Sequence, residues 1–319
     1  MEIAVPVPGL KSLIARRSAM ILPGVANALF ARVAEELGYE AIYVSGAGIA
    51  NMHLGAPDIG LVTMSELVDV VMRVSDVVSV PIFVDADTGF GNAVNMVRTT
   101  KALERAGASA IQIEDQIFPK KCGHFSGKDV APLGEMLGKI KAAVDTRTSD
   151  DLLIVARTDS AAIHGLDHAI ERAHAFVEVG ADVTFVEAPR NEAELQRIAR
   201  EIPAPQVANI VHGGLTPEIP AARLREMGFS IVLYANATLQ AALKASRTVL
   251  QALKTDGSLA NVRDELCSFE DRQRVVKKPL FDALEERYGA AAQNQPSHGK
   301  RTNGKAPASG SEVERLDTR

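Results

Sequence analysis

The sequence predicts a (β/α)8 barrel, and three observations carry that expectation: a recurring phrase, a regular alternation of strand and helix, and polar residues at most strand ends. The phrase is a charged helix end, a glycine, a short apolar strand and then a polar residue. It reads EELGYEAIYVSG around Gly38, ERAGASAIQIED around Gly107, VEVGADVTFVEA around Gly180 and REMGFSIVLYAN around Gly228. Glycine at that point accepts the left-handed conformation that closes a helix. The unbroken apolar run after it suits a strand covered on both faces.

Further strands are expected at Ala19–Leu22, Val80–Val84, Leu152–Ala156 and Gln206–Ile210, bringing the number to about eight. Helix-length segments such as Asn92–Ala106 and Leu166–Val179 separate them. Alternation over roughly 250 residues is the size of a (β/α)8 barrel. A doubly wound open sheet has the same periodicity, so the polar strand ends must decide. They are Ser45, Asp85 with Asp87, Glu114 with Asp115, Arg157 with Asp159, Glu187, Asn209 and Tyr234. A barrel gathers such ends into one bowl, whereas an open sheet spreads them along an edge.

The expected organisation is a catalytic barrel over residues 1–260, a helical segment over 261–289 and a polar tail over 290–319. Phe269, Val275, Val276, Leu280, Phe281 and Leu284 give the helical segment an apolar side that needs a partner, and a neighbouring subunit would supply one. The tail is rich in Gly, Pro, Ser, Asn and charge and is expected to be disordered.

A net charge of −5, spread along the chain, excludes a general nucleic-acid binder, which needs a concentrated basic face. No apolar run is long enough to span a bilayer. The start, MEIAVPVPGL, lacks the basic and apolar regions of a signal peptide. Cys122 and Cys267 make no disulfide framework, which points to a reducing cytoplasm.

Asp85-Ala86-Asp87-Thr88-Gly89-Phe90-Gly91 follows the apolar run VPIFV, and strand alternation puts Asp85 and Asp87 on the same side. With Glu114 at the end of the next strand they form an acid cluster, which is costly unless a cation neutralises it or protons bind. The donors are all oxygen, which suits Mg²⁺ with several retained waters. Helix capping and pairing with Lys or Arg are the alternative. Ser45-Gly46-Ala47-Gly48 ends its strand in small residues, so backbone N–H groups can approach a ligand oxygen. Arg157 suits a clamp on a carboxylate or phosphate; an internal pair with Asp159 or Glu187 would also explain it. Lys120, Lys121 and His124 surround Cys122, and positive charge lowers a thiol pKa. The segment KKCGHFSGKD, with two glycines, reads as a mobile lid. His53 and His164 have no such company.

Taken together, Tyr43-Val44-Ser45-Gly46-Ala47-Gly48, Leu54-Gly55-Ala56-Pro57-Asp58, Asp85-Ala86-Asp87-Thr88-Gly89 and Lys120-Lys121-Cys122-Gly123-His124 match one pattern in order and spacing. From Pro23-Gly24 to Asn209 the chain resembles the isocitrate lyase/phosphoenolpyruvate mutase superfamily. It is most similar to the short bacterial lyase branch, that of the 2-methylisocitrate and 2,3-dimethylmalate lyases, and the cysteine loop is the lyase mark.

The resemblance implies a Mg²⁺-dependent retro-aldol cleavage of a 2-hydroxy di- or tricarboxylate to pyruvate and a second acid, with Mn²⁺ as a substitute metal. Asp87 would be the nearest metal ligand, with Asp58, Asp85 and Glu114 acting largely through water. Tyr43, Ser45, Gly46 and Ala47, with Asp58 beside them, would hold the pyruvate half. Arg157, Glu187, Asn209, Gly123 and His124 would hold the other half. Cys122 would be the catalytic acid, tuned by Lys120 and His124. The assembly implied is a homotetramer with C-terminal helices swapped between subunits.

Two segments depart from the pattern. Asn209-Ile210-Val211-His212-Gly213-Gly214 replaces the serine-rich stretch of isocitrate lyases, and Tyr234-Ala235-Asn236-Ala237 stands where related lyases carry Tyr-Pro-Leu-Ser. Other expectations are an oxaloacetate hydrolase or decarboxylase, or a phosphonate mutase, of the same superfamily. A Schiff-base aldolase using Lys120 or Lys121 and a non-catalytic carboxylate binder complete the set.

Overall fold

The structure, a computed structural model, describes residues 8–121, 123 and 127–293. Its eight strands are β1 Met20–Val25, β2 Ile42–Val44, β3 Ile82–Asp85, β4 Ala110–Glu114, β5 Leu153–Thr158, β6 Val183–Val186, β7 Val207–Asn209 and β8 Ile231–Tyr234. All pairings between them are parallel, and the order runs β6-β5-β4-β3-β2-β1-β8-β7. The ring closes between β6 and β7 through a single bridge, Thr184 with Gln206. The Thr184 N–H donates to the Pro205 carbonyl at 3.0 Å, and Gln206 Nε2 donates to Thr184 Oγ1 at 2.5 Å. This is the expected (β/α)8 barrel, nearly closed.

The recurring glycines work as expected. Gly38, Gly107, Gly180 and Gly228 have φ of 83°, 100°, 101° and 96°, and each leads from a helix end into the next strand. Helix starts are equally local. Asn92 accepts from Val94 and Asn95 at the head of Ala93–Arg105, and Thr63 forms a capping box with Glu66 at the head of Met64–Ser75.

Strand alternation divides the core. One set of side chains fills the barrel interior: Met20 and Leu22, Tyr43, Phe83, Leu153 and Val155, Val183 and Phe185, Val207, Ile231 and Leu233. Leu10, Leu13 and Ile14 of helix Leu10–Ala15 belong to the same cluster. The other set, including Val44, Val84, Ile113, Ile154, Val186 and Val232, packs against the helices. Because the inward positions lower in the barrel are apolar, those next along each strand are free to be polar.

Two expectations change. Tyr234 does not enter the bowl; it packs among the helix-facing residues, because Leu233 and Ala235 hold the inward positions of β8. Asp115 likewise turns toward helix Leu166–Glu178, since its neighbour Glu114 takes the inward position of β4. Arg172 Nε meets Asp115 Oδ2 at 2.8 Å, and Asp115 Oδ1 accepts the Asp159 N–H at 2.9 Å. This buried pair braces the β4 and β5 ends, so Arg172→Met should lower the free energy of urea unfolding by about 3–5 kcal/mol. Helix Lys278–Gln293 occupies the C-terminal segment. The rest of the 290–319 tail lies outside the described residues.

The chain forms one compact unit through Val276 and a second from Lys277. Within the first, helix Phe269–Val275 rests on helix Ala28–Glu36, with Arg274 ion-paired to Glu36. Elsewhere this unit leaves apolar surface bare. Ile21 of β1 is 40% exposed, Leu29 and Val33 are exposed on helix Ala28–Glu36, and the long helix Ala237–Asp256 shows Leu243, Leu250 and Leu253 to solvent.

Candidate active site

At the C-terminal strand ends, Tyr43, Ser45, Ala47, Asp58, Asp85, Glu114, Lys120, Gly123, Arg157, Glu187 and Asn209 line one cavity of about 30 Å³. Gly46 and Asp87 stand against it. A Cβ built on Gly46 would lie 3.0 Å from Asp87 Oδ1 and 3.2 Å from Asp85 Oδ2, so the acids pack on bare backbone there. Cys122 and His124 lie outside the described residues.

The β2–β4 side is acidic. Gly46 N–H donates to Asp85 Oδ2 at 3.3 Å, and Asp85 Oδ1 accepts from the Asp87 N–H and from Gln112 Nε2. Ser45 caps helix Gly46–His53 by accepting the Gly48 N–H at 3.1 Å. Two of the amides expected to meet a ligand are thus already engaged. Burial, and then the Asp85 charge, holds the Tyr43 hydroxyl well above its ordinary pKa, so it stays a neutral donor.

Lys120 lies among these acids. Its ammonium, only 3% exposed, is paired with Asp58 and with Asp87 Oδ1, the latter at 2.7 Å. Burial alone would lower its pKa, but Asp87, Glu114, Asp58 and Asp85 hold it well above the usual lysine value. An amine kept this firmly protonated is a poor imine former, which counts against the Schiff-base aldolase. Lys121 Nζ donates to the Gly127 carbonyl at 2.7 Å.

Across the bowl Arg157 serves three carboxylates: Asp159 Oδ2 at 2.9 Å, Glu187 Oε2 at 3.1 Å and Glu114 Oε2 at 3.4 Å. Its guanidinium also lies 5.1 Å from the Phe185 ring centre. Asn209 Nδ2 donates to Glu187 at 3.3 Å. Burial opposes the charge of Asp159, yet Arg157 and Lys128 bring its carboxyl down to about 2. The internal pairing of Arg157 is therefore real, and it fixes the guanidinium at the cavity wall.

Among the described residues, the buried acids Asp58, Asp85, Asp87, Glu114 and Asp159 share the cations Lys120, Lys128 and Arg157. Burial pushes the Asp87 carboxyl up to about 7 against the pull of Lys120, and burial raises Glu114 well above its usual range against Arg157 and Lys120. The partners Lys120 and Asp87 both shift upward. We read this as one ammonium shared among too many carboxylates, which leaves the cluster to take a proton or a second cation. Glu114 Oε1 is buried and accepts no hydrogen bond from the described residues. This donor set fits a hard cation. Among the described residues no group of three or more His, Cys, Asp or Glu side chains converges closely enough to hold a metal ion by itself.

Residues not anticipated also contribute. Lys128 Nζ pairs with Asp159 at 2.6 Å and donates to the Gly123 carbonyl. Gln112 is inward between Ala110 and Glu114, a place that period-two reading of β4 would have shown. Val211, Leu233, Ala235 and Asn236 form the uncharged β7–β8 wall. Gly123 is held tightly, since a Cβ there would collide with Arg157 Nη2 and sit 2.8 Å from Glu187 Cγ. Gly123→Ala should therefore displace Arg157 and lower kcat/KM on the order of 10²-fold.

A barrel whose strand ends set an acid cluster opposite a buried arginine has the layout of an enzyme active site. The phosphoenolpyruvate phosphomutase family model matches residues 10–254, and the chain belongs to that family. It is 44% identical over 279 residues to 2,3-dimethylmalate lyase of Eubacterium barkeri, covering 88% of this chain and 96% of that one. It is 47% identical over 261 residues to 2-methylisocitrate lyase of Aeropyrum pernix, covering 81% and 84%. Both relatives are lyases.

Solved structures agree. A 2,3-dimethylmalate lyase, described as a PEP mutase/isocitrate lyase superfamily member, superposes with TM-score 0.83 at 32% identity, covering 89% of this chain and 96% of that one. Oxaloacetate acetylhydrolase with 3,3-difluorooxalacetate gives 0.83 at 32%, covering 90% and 97%. Phosphonopyruvate hydrolase with oxalate and Mg²⁺ gives 0.79 at 28%, covering 88% and 97%.

Proposed function

We propose that this chain is a Mg²⁺-dependent carbon–carbon lyase that cleaves a 2-hydroxy di- or tricarboxylate of the 2,3-dimethylmalate or 2-methylisocitrate type. The products are pyruvate and a second carboxylic acid. The observation that carries this reading is the charge layout: excess buried acid around Asp87 on one side and Arg157 on the other, with two lyases among the relatives. Asp87 would hold the ion, with Asp58, Asp85 and Glu114 reached through water, and the ion supplies a Lewis acid for the 2-oxygen and its carboxylate.

The chain's own residues do the rest. Tyr43, Ser45, Gly46 and Ala47 cradle the α-oxyacid half at the N-terminus of helix Gly46–His53, where the backbone favours negative charge. Arg157, positioned by Glu187, Asp159 and Lys128, binds the other carboxylate together with Asn209 and the Gly123 loop. As the 2-hydroxyl loses its proton to a carboxylate of the acid cluster, C2 becomes the pyruvate carbonyl, the C2–C3 bond breaks, its electron pair spreads into that other carboxylate, and Arg157 meets the charge. Cys122 gives its proton to the carbon, with Lys121 and His124 flanking the thiol in sequence. A cytoplasmic location, Mn²⁺ as a substitute and a homotetramer complete the proposal. The bare surfaces at Ile21, Leu29 and Val33 and along helix Ala237–Asp256 support subunit contact.

The test is incubation with 2,3-dimethylmalate, 2-methylisocitrate, isocitrate and oxaloacetate in Mg²⁺, following pyruvate, glyoxylate and oxalate. Pyruvate is expected from one of the first two, abolished by EDTA and restored by Mg²⁺. Turnover that survives EDTA would remove the metal from the reading. The likeness to oxaloacetate acetylhydrolase favours a second reading, and release of oxalate and acetate in place of pyruvate would establish it.

A further inference from the structure

A second cavity, of about 640 Å³, opens between helices Ala93–Arg105 and Leu133–Thr146, the start of helix Met64–Ser75 and the loops at 60–63, 88–91 and 116–118. That is the size of small-molecule sites. Leu61, Phe90, Ile117 and Phe118 make its wall apolar. Lys139 also lines it, with a side chain only 5% exposed and a single ion pair, 3.1 Å to the half-exposed Glu135. No other ion pair or hydrogen bond reaches that ammonium from the described residues. An ammonium carries three donors, and burying one with so few partners is costly.

The charges lining this cavity are Arg98, Lys139 and Glu135, an excess of cation and so the reverse of the active site. An apolar wall beside an under-paired buried ammonium suits an anion with an apolar body. The location also matters. Thr88 follows Asp87 in sequence. Gln116 grips the backbone of Lys121 at both ends, donating from Nε2 to its carbonyl at 2.8 Å and accepting its N–H at 2.9 Å. An occupant of this cavity would border both the acid loop and the segment bearing Lys120 without entering the active site.

The geometry points to a second ligand site here, for a monocarboxylate with a short apolar chain, its head on Lys139 and its tail against Phe90 and Phe118. The inference does not depend on which reaction the barrel performs. Hexanoate is a suitable probe, titrated calorimetrically into the full chain. Saturable binding in the millimolar range is expected. Lys139→Met should weaken it at least about tenfold, the loss of a charge-assisted hydrogen bond. Leu61→Trp, at an exposed position of the wall, should also weaken it, and this decides the matter if the lysine variant fails to fold. Arg157→Met should leave it unchanged. Absence of saturation, or loss of binding with Arg157 and not with Lys139, overturns the proposal.

Discussion

Arg157→Met is expected to lower the free energy of urea unfolding by about 3–5 kcal/mol, because it removes a buried cation that three carboxylates share. Glu187 and Glu114 lose their ion pairs with Arg157 outright, while Asp159 keeps Lys128. Methionine matches the length of the arginine stem and still packs on Phe185, so lost packing contributes little. Turnover should fall on the order of 10²–10³-fold, the usual result of removing a group that meets developing charge. Adding Glu187→Gln should recover part of the stability and none of the turnover. Unchanged unfolding would mean that these carboxylates already carry protons in the folded state, and the charge layout argued above would fail with them.

Asp87→Asn is expected to separate activity from stability in the other direction. Asp87 has φ of +48°, a left-handed conformation that asparagine accepts readily, so the backbone can stay in place. The substitution removes one charge from a crowded buried cluster, and Lys120 keeps its pair with Asp58. In EDTA the variant should therefore melt at or above the temperature of the parent. Mg²⁺-dependent turnover should fall on the order of 10³-fold, equivalent to several kcal/mol of lost charge stabilisation. If stability drops together with activity, Asp87 is chiefly the partner of Lys120 and not the seat of a cation.

The readable part of this site is the part governed by period two. Asp85 and Asp87, or Tyr43 and Ser45, follow from counting along a strand, and the glycines at 38, 107, 180 and 228 mark where each strand begins. The same counting, applied to Asp115 and Tyr234, turns them away from the bowl. Ending β5 at Ala156 places Arg157 outside its strand, whereas the hydrogen-bonded ladder carries through to Thr158. Long-range pairs leave no such trace. Lys128 with Asp159, and Arg172 with Asp115, join residues brought together only when neighbouring β/α units close on each other. Lys120 was conspicuous by its position beside Cys122, but nothing local shows that Asp58, 62 residues earlier, would claim its ammonium.

The single bridge between β6 and β7 makes the barrel a hoop with one clasp. Glu187 and Asn209 stand on the two sides of that gap, joined by a hydrogen bond of 3.3 Å. A carboxylate gripped by Arg157 and Asn209 would span the same gap and act as a second clasp. Segments with few shared hydrogen bonds open most readily, and a ligand that binds only the closed form stabilises it by mass action. Substrate capture and fastening of the hoop would then be one event, with the gap tightest when the bowl is full.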